Sequence, residues 1–186
     1  SARAGDETKL RRLSLDGEWD FEYFENPLAV PAQALLPRAQ GNPIVVPGNW
    51  TRQGYGHPHY TNIRMPFADH YPRVPKDNPT GVYRRALSVP ESFQGQRLVL
   101  HFGGAESVLY VYIDGQFVGL SKDTRLPGEF DVTDFAKPGA THTLCAVVVK
   151  WSDATFIEDQ DQWWMGGLHR SVYLYATPKT YLRDVF

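Results

Sequence analysis

The chain predicts an all-β fold, an antiparallel β-sandwich, and three features of its 186 residues carry that prediction. Short runs of apolar residues alternate with polar ones at period two, as half-buried strands do. Clusters of Gly, Pro, Asn and Asp separate these runs and supply turn chemistry. No stretch shows the spacing of an amphipathic helix of useful length. A jelly roll is the expected topology, and strand spacing alone leaves an immunoglobulin-like sandwich open beside it. At this length one well-buried core is the default.

The elements follow in order. Residues 1–12 are polar and read as a flexible N-terminal segment, with order expected from Leu13 and the sandwich domain spanning 13–180. In Gly17-Glu18-Trp19-Asp20-Phe21-Glu22-Tyr23-Phe24 apolar and charged residues alternate, which predicts a strand. Residues 27–42, rich in Pro, Ala and Leu, leave room for a short helix. A brief strand over 43–47 has proline at both ends and so belongs at a sheet margin. Residues 48–80 are dense in Gly, Pro, His, Tyr and Asn with little periodicity. Long irregular segments in compact domains tend to be functional, which makes this one a candidate binding face.

Beyond it, strands are predicted over 82–89, 97–103, 108–114, 116–120, 144–151 and 171–175. Asp114-Gly115 between two apolar runs signals a two-residue hairpin, because both residues tolerate positive φ. Residues 128–135 read as one helical turn with Asp131 or Thr133 as its N-cap, and Pro138-Gly139 marks a turn. Residues 181–186 read as a linker or the first strand of a following domain.

Composition narrows the function classes. With 42% hydrophobic and 13% aromatic residues the chain is globular in composition. A formal charge of -2 gives no electrostatic reason to expect nucleic acid or an anionic membrane as partner. No apolar run reaches the length of a membrane span. Cys145 is the one cysteine, so no intrachain disulfide is possible, and in its apolar run it reads as a small buried hydrophobe. This suits a cytoplasmic protein and leaves a periplasmic or secreted one open. Ser1-Ala2-Arg3-Ala4-Gly5 carries no apolar signal-peptide core.

The densest chemistry lies in residues 151–167. Asp153, Glu158, Asp159 and Asp161 fall close together, ahead of Trp163, Trp164 and the pair Gly166-Gly167. Carboxylates so close repel one another unless cations, hydrogen bonds or water compensate. Three readings follow: oxygen ligands for a hard cation, hydrogen-bonding groups for sugar hydroxyls beside a tryptophan platform, or a solvated acidic loop with core tryptophans. The spacing is not that of an EF-hand loop. No pair stands out as the two carboxyls, about 5–5.5 Å apart, of a retaining glycosidase. His57 and His59 are spaced to share a metal, yet no Cys or third His is near, so surface histidines are the better reading. Asn62 offers an amide that both donates and accepts, as a hydroxyl does. His101, His142 and His169 sit in or beside strands and read as structural, and no phosphate-binding or dinucleotide glycine motif is present.

Several ordered motifs then resemble one family. Leu15-Asp16-Gly17-Glu18-Trp19-Asp20-Phe21 is similar to the opening of the sugar-binding domain of family 2 glycoside hydrolases, and Val46-Pro47-Gly48-Asn49-Trp50 to its next landmark. Tyr60-Thr61-Asn62, Asn78-Pro79-Thr80-Gly81-Val82-Tyr83 and the stretch 121–131 resemble the β-galactosidase branch, as do Trp151-Ser152-Asp153 and Glu158-Asp159-Gln160-Asp161 with Trp163, Met165, Gly167 and Arg170. The likeness runs from Leu13 to the C-terminus, with residues 25–42 poorly anchored.

The resemblance implies a galactose-binding-domain-like jelly roll opening a longer polypeptide, followed by an immunoglobulin-like domain and a (β/α)8 barrel. It implies that both catalytic glutamates of a retaining hydrolase lie in that barrel and that no catalytic residue lies here. By the same likeness Asn62 lines the galactose pocket, and Asp161 contacts substrate hydroxyls and ligates sodium in the intact enzyme. Magnesium is expected in the barrel and not in this chain. The expected partners are a galactoside and the remaining domains of the polypeptide, the whole enzyme forming a homo-oligomer. The 158–161 run favours galactosides over glucuronides or mannosides. The chain departs from the pattern at Trp164, His169 and Ser171, so no contact is carried over there. Two other classes stay in view: an independent carbohydrate-binding module, and a structural domain supporting oligomer contacts.

Overall fold

A computed structural model describes residues 11–37, 41–62, 64–68 and 70–182. Its strands are β1 (Arg11–Ser14), β2 (Gly17–Phe24), β3 (Asn42–Val46), β4 (His59–Thr61), β5 (Thr80–Ser88), β6 (Arg97–Phe102) and β7 (Ala105–Glu106). There follow β8 (Val108–Ile113), β9 (Gln116–Ser121), β10 (Gly128–Asp131), β11 (Thr141–Val149), β12 (Gln162–Trp164), β13 (Gly167–Leu168) and β14 (Val172–Thr177). The α-helix among the described residues is the single turn α1 (Ala154–Ile157).

A four-stranded sheet, β1-β14-β6-β10, faces a six-stranded one, β3-β2-β5-β11-β8-β9, and every pairing is antiparallel. The architecture is the predicted sandwich. Alternation along the strands explains the core: Trp19 and Phe21 of β2, Tyr83 and Leu87 of β5, and Leu144, Ala146 and Val148 of β11 turn inward. They meet Leu98, Leu100 and Phe102 of β6 and Val172 and Leu174 of β14 from the other sheet.

The six-stranded sheet is also covered on its outer face. Val82, Cys145 and Val147 pack there with Ala34, beneath the 3-10 turns Pro27–Ala29 and Ala32–Leu35. Coverage of both faces is why the apolar run through Cys145 does not alternate with polar residues. Burial pushes the Cys145 thiol up to about 12. Arg84 emerges on the same face, fully covered, and is held by Asp20 (2.6 Å), Glu22 (3.2 Å) and the Ala34 carbonyl (2.8 Å).

Most elements stand where the sequence puts them. The strand with flanking prolines, β3, is an edge strand. Asp114 and Gly115 take φ of 51° and 79°, the paired positive values of the predicted hairpin turn. Two expectations change. The first strand begins at Arg11, two residues before Leu13, because the Arg12 guanidinium lies 3.5 Å over the Tyr173 ring and β1 pairs with β14; residues 1–10 lie outside the described ones. Residues 128–135 change in part: 128–131 form β10, paired with β6, and the turn is confined to 132–136, where Asp131 accepts from the Thr133 amide (3.1 Å) and the Ala136 amide donates to the Val132 carbonyl (2.9 Å). No helix among the described residues is long and apolar enough to cross a membrane.

Candidate functional site

The two residues singled out as substrate ligands come from loops about a hundred positions apart, and a two-stranded ribbon joins them. β4 and β12 pair antiparallel in the register His59 with Trp164, Tyr60 with Trp163 and Thr61 with Gln162. Successive side chains of a strand point to opposite faces. Tyr60 and Trp163 therefore share the outer face, with rings 5.2 Å apart and each about half exposed. Trp164 and Thr61 share the inner face, both fully buried, and the Trp164 indole N–H donates to Thr61 Oγ1 (2.8 Å).

Asp161 precedes β12 and Asn62 follows β4, so the same register brings them level at the ribbon's end. The Tyr60 hydroxyl donates to Asp161 Oδ1 and accepts from Asn62 Nδ2 (3.2 Å), linking the two side chains. The hydrogen bond to Asp161 raises the Tyr60 phenol above its ordinary range. Asn62 and Asp161 are both exposed, and together with Tyr60 they present a row of donors and acceptors beside an aromatic pair. Alternating hydrogen-bonding groups next to exposed ring faces suit a polyhydroxylated ligand.

The other acidic residues of the loop do different work. Asp153 binds Lys122 Nζ (2.6 Å) and caps α1 by accepting from the Ala154 amide (3.0 Å); Lys122 above all, then the cap, hold its carboxyl below the usual range. Glu158 accepts from the Thr124 amide (3.0 Å) and ties the loop to the segment after β9. Among the described residues no group of three or more His, Cys, Asp or Glu side chains is disposed to share a metal ion.

Two glycines let this loop sit on the sandwich. Gly166 and Gly167 take φ of 77° and 111°. A Cβ on Gly166 would lie 2.3 Å from the Trp50 indole, and one on Gly167 would lie 2.9 Å from the Tyr83 hydroxyl. Gly166 O accepts from the Trp50 amide (3.1 Å), and the buried Glu106 carboxylate accepts from the amides of Met165 (2.7 Å) and Gly166. A cavity of about 260 Å³ lies beside the ribbon, lined by Asn49, Glu106, Arg125, Trp163, Met165 and His169. Burial, then Arg170 and Arg125, lower the His169 imidazole below its ordinary value.

His57 and His59 lie with ring centres 4.4 Å apart and planes tilted by 40°, and His59 Nδ1 is taken by Lys150 Nζ (2.9 Å), leaving that nitrogen no lone pair for a metal. His101 binds Glu129 (3.0 Å), and His142 binds Asp114 (2.7 Å), both within the sandwich's strand network. Sequence reasoning quoted Tyr60 only as part of a motif and passed over Lys150 and Glu106. Tyr60 stands two positions before Asn62, a spacing that puts both on one face where the chain stays extended. Lys150 ends an otherwise apolar run, a position at which a charge is expensive and calls for a reason. Glu106 carries no such signal.

Comparison with known proteins decides the family. The model of the sugar binding domain of glycosyl hydrolases family 2 matches residues 12–178. The chain belongs to this family. Among curated relatives of the family 2 sugar-binding domain are the β-galactosidases of Klebsiella pneumoniae (strain 342), 44% identical over 180 residues, and of Vibrio cholerae serotype O1, 42% identical over 178. Each match takes in 94% of this chain and 17% of the relative, so the chain spans about one sixth of their length. A solved β-glucuronidase from Faecalibacterium prausnitzii shares the fold at a TM-score of 0.69 with 23% identity, over 98% of this chain and 34% of that one. One from Bifidobacterium dentium matches at 0.66 with 24% identity, over 92% and 30%.

Proposed function

We propose that this family 2 sugar-binding domain supplies two substrate ligands, Asn62 and Asp161, to a β-galactosidase active site. The catalytic glutamates of that site belong to a (β/α)8 barrel elsewhere in the polypeptide. The relatives named β-galactosidase support this reading, and so does their length. The observation that carries it is the Tyr60 hydroxyl bridging Asn62 and Asp161 at the open end of an aromatic ribbon. The sandwich is read as a jelly roll whose two loops, 57–62 and 158–169, are the parts that reach the barrel.

In this reading Asn62 and Asp161 hold sugar hydroxyls and orient the ring, while the chemistry proceeds on the barrel's carboxyls. Tyr60 occupies one carboxylate oxygen of Asp161 and leaves the other for ligand. A hard monovalent cation such as sodium takes oxygen ligands. Asp161 fits as one such donor, so the other ligands must come from the rest of the enzyme and the sugar. Bound there, sodium would supply a positive centre for a substrate hydroxyl.

Calorimetric titration tests the proposal. Galactose added to the 186-residue chain should give no saturable heat at millimolar concentration, whereas the complete polypeptide should bind it. Saturable binding by the chain alone would overturn the shared-site reading. It would favour an independent carbohydrate-binding module, a reading that the exposed Tyr60–Trp163 pair supports as a ready-made stacking surface.

A further inference from the structure

Lys150 is an ammonium in the wrong place for a structural residue. It follows directly on β11, is 1% exposed, and among the described residues no carboxylate reaches it within ion-pair distance. Its side-chain hydrogen bonds go to one segment: Nζ donates to the His57 carbonyl (3.0 Å) and to His59 Nδ1 (2.9 Å). The group also lies 5.2 Å from the Trp151 ring centre. A buried cation without a counter-charge is costly, and an apolar residue of similar size would serve the sheet better. What the lysine does, and an apolar residue would not, is tie the 57–59 segment to the sandwich.

That segment leads straight into the site. His59 is the first residue of β4, pairs with Trp164 and packs edge-on against Trp151 at 5.2 Å. Tyr60 and Asn62 follow within three positions. A small cavity of about 150 Å³, lined by Tyr23, His57, His59, Asp77, Pro79 and Trp151, borders the segment, so on that side it lacks close-packed neighbours. We propose that Lys150 is a positioning residue: its two hydrogen bonds fix the start of β4 and so set Tyr60 and Asn62 opposite Asp161. This rests on the reading of Asn62 and Asp161 as sugar ligands.

The surrounding charges agree with the arrangement. Burial, then Lys150, then His57, hold the His59 imidazole down to about 4, so its Nδ1 stays an acceptor at neutral pH; Asp77 works in the other direction. Burial brings Lys150 down to about 8, against a modest upward pull from Glu106 on β7. A lysine that has lost its proton still carries two N–H donors, enough for both acceptors. The link is therefore vulnerable on the acid side, where protonated His59 would face the ammonium, and not on the alkaline side.

The test uses Lys150→Met. In the 186-residue chain, amide exchange at residues 59–61 and 162–164 should speed up about tenfold or more, the consequence of losing two hydrogen bonds to a charged donor. Exchange in β5 and β11 should hold or slow, and the His59 titration, followed by imidazole NMR, should move up from about 4. In the complete polypeptide KM for a galactoside should rise about tenfold with kcat changed less. Lys150→Arg, which keeps two donors, should stay within about threefold of the parent in both measurements. Should Lys150→Met fail to fold, His59→Phe removes the acceptor while keeping a ring against Trp151, and the same acceleration is expected. Unchanged exchange at 59–61 overturns the positioning role whatever happens to KM. If exchange accelerates while Asp161→Ala leaves KM unaltered, Lys150 holds the loop but the sugar assignment has failed.

Discussion

The sandwich between β2, β5, β11 and β14 and the ribbon of β4 and β12 differ in how fully their polar groups are paired. In the sandwich Arg84 is enclosed and answered by Asp20, Glu22 and a carbonyl, and the Trp19 indole donates to the Leu15 carbonyl at 2.8 Å. Around the ribbon, Thr124 Oγ1, Arg125 Nη2, Glu158 Oε2, Asp159 Oδ1, Gln162 Nε2 and His169 Nδ1 are covered yet lack a protein partner. They are six of the eleven such atoms among the described residues. Buried polar atoms in finished cores are almost always paired. The core of the sandwich leaves fewer, Trp50 Nε1, Tyr83 Oη and Arg84 Nη2, the last within 2.6 Å of Asp20, so the unpaired atoms concentrate on the side that water, ligand or a neighbouring chain would complete.

The sharpest way to break this contrast is to remove a tryptophan from each region. Trp50 is fully buried against Phe21 and Tyr23 and carries the Gly166-Gly167 turn, so Trp50→Ala should lower stability by about 3–5 kcal/mol in chemical denaturation. Trp163 is 55% exposed, and Trp163→Ala should cost under about 1 kcal/mol. Comparable losses for the two would dissolve the distinction.

Gly166 joins the regions. Gly166→Ala meets both a positive φ and the Trp50 ring, and about 1–3 kcal/mol should be lost, with Trp50 fluorescence altered at the same time.

The pH response should divide the molecule in the same way. The folded His59 value, about 4, lies below its unfolded value near 6.5. The unfolded imidazole takes up a proton between those values that the folded one refuses, so stability falls as pH drops from about 6.5 towards 4. Amide exchange corrected for intrinsic rate should accelerate over that window in residues 57–62 first, before β5 and β11. The smallest effect expected is at Cys145. Burial and a thiol pushed up to about 12 should leave it unreactive to thiol reagents at pH 8 until the chain is unfolded.

The sandwich was legible because its strands are long enough to show a period. Six alternating positions in β2 or a positive-φ pair such as Asp114-Gly115 admit little else. Residues 128–135 were legible only in part, since the four residues of β10 are too few to show a period while the capping chemistry of Asp131 and Thr133 after them is plain. Arg11 and Arg12 escaped because charge argued against order, whereas a guanidinium over Tyr173 is tertiary information. At the site, motif resemblance singled out Asn62 and Asp161 without saying that they meet. Their connection through Tyr60 depends on the register of β4 with β12, a pairing between loops that no local pattern encodes. Trp163 and Trp164 looked alike in sequence and part company because adjacent strand residues face opposite sides.

The central claim is that the open region is half of a sugar site. Its most direct test is Asp161→Ala in the complete polypeptide, with galactoside KM measured in sodium and in potassium. The account predicts unchanged thermal stability, a KM raised at least about tenfold, and loss of any difference between the two cations. A KM and a sodium response equal to those of the parent would contradict it.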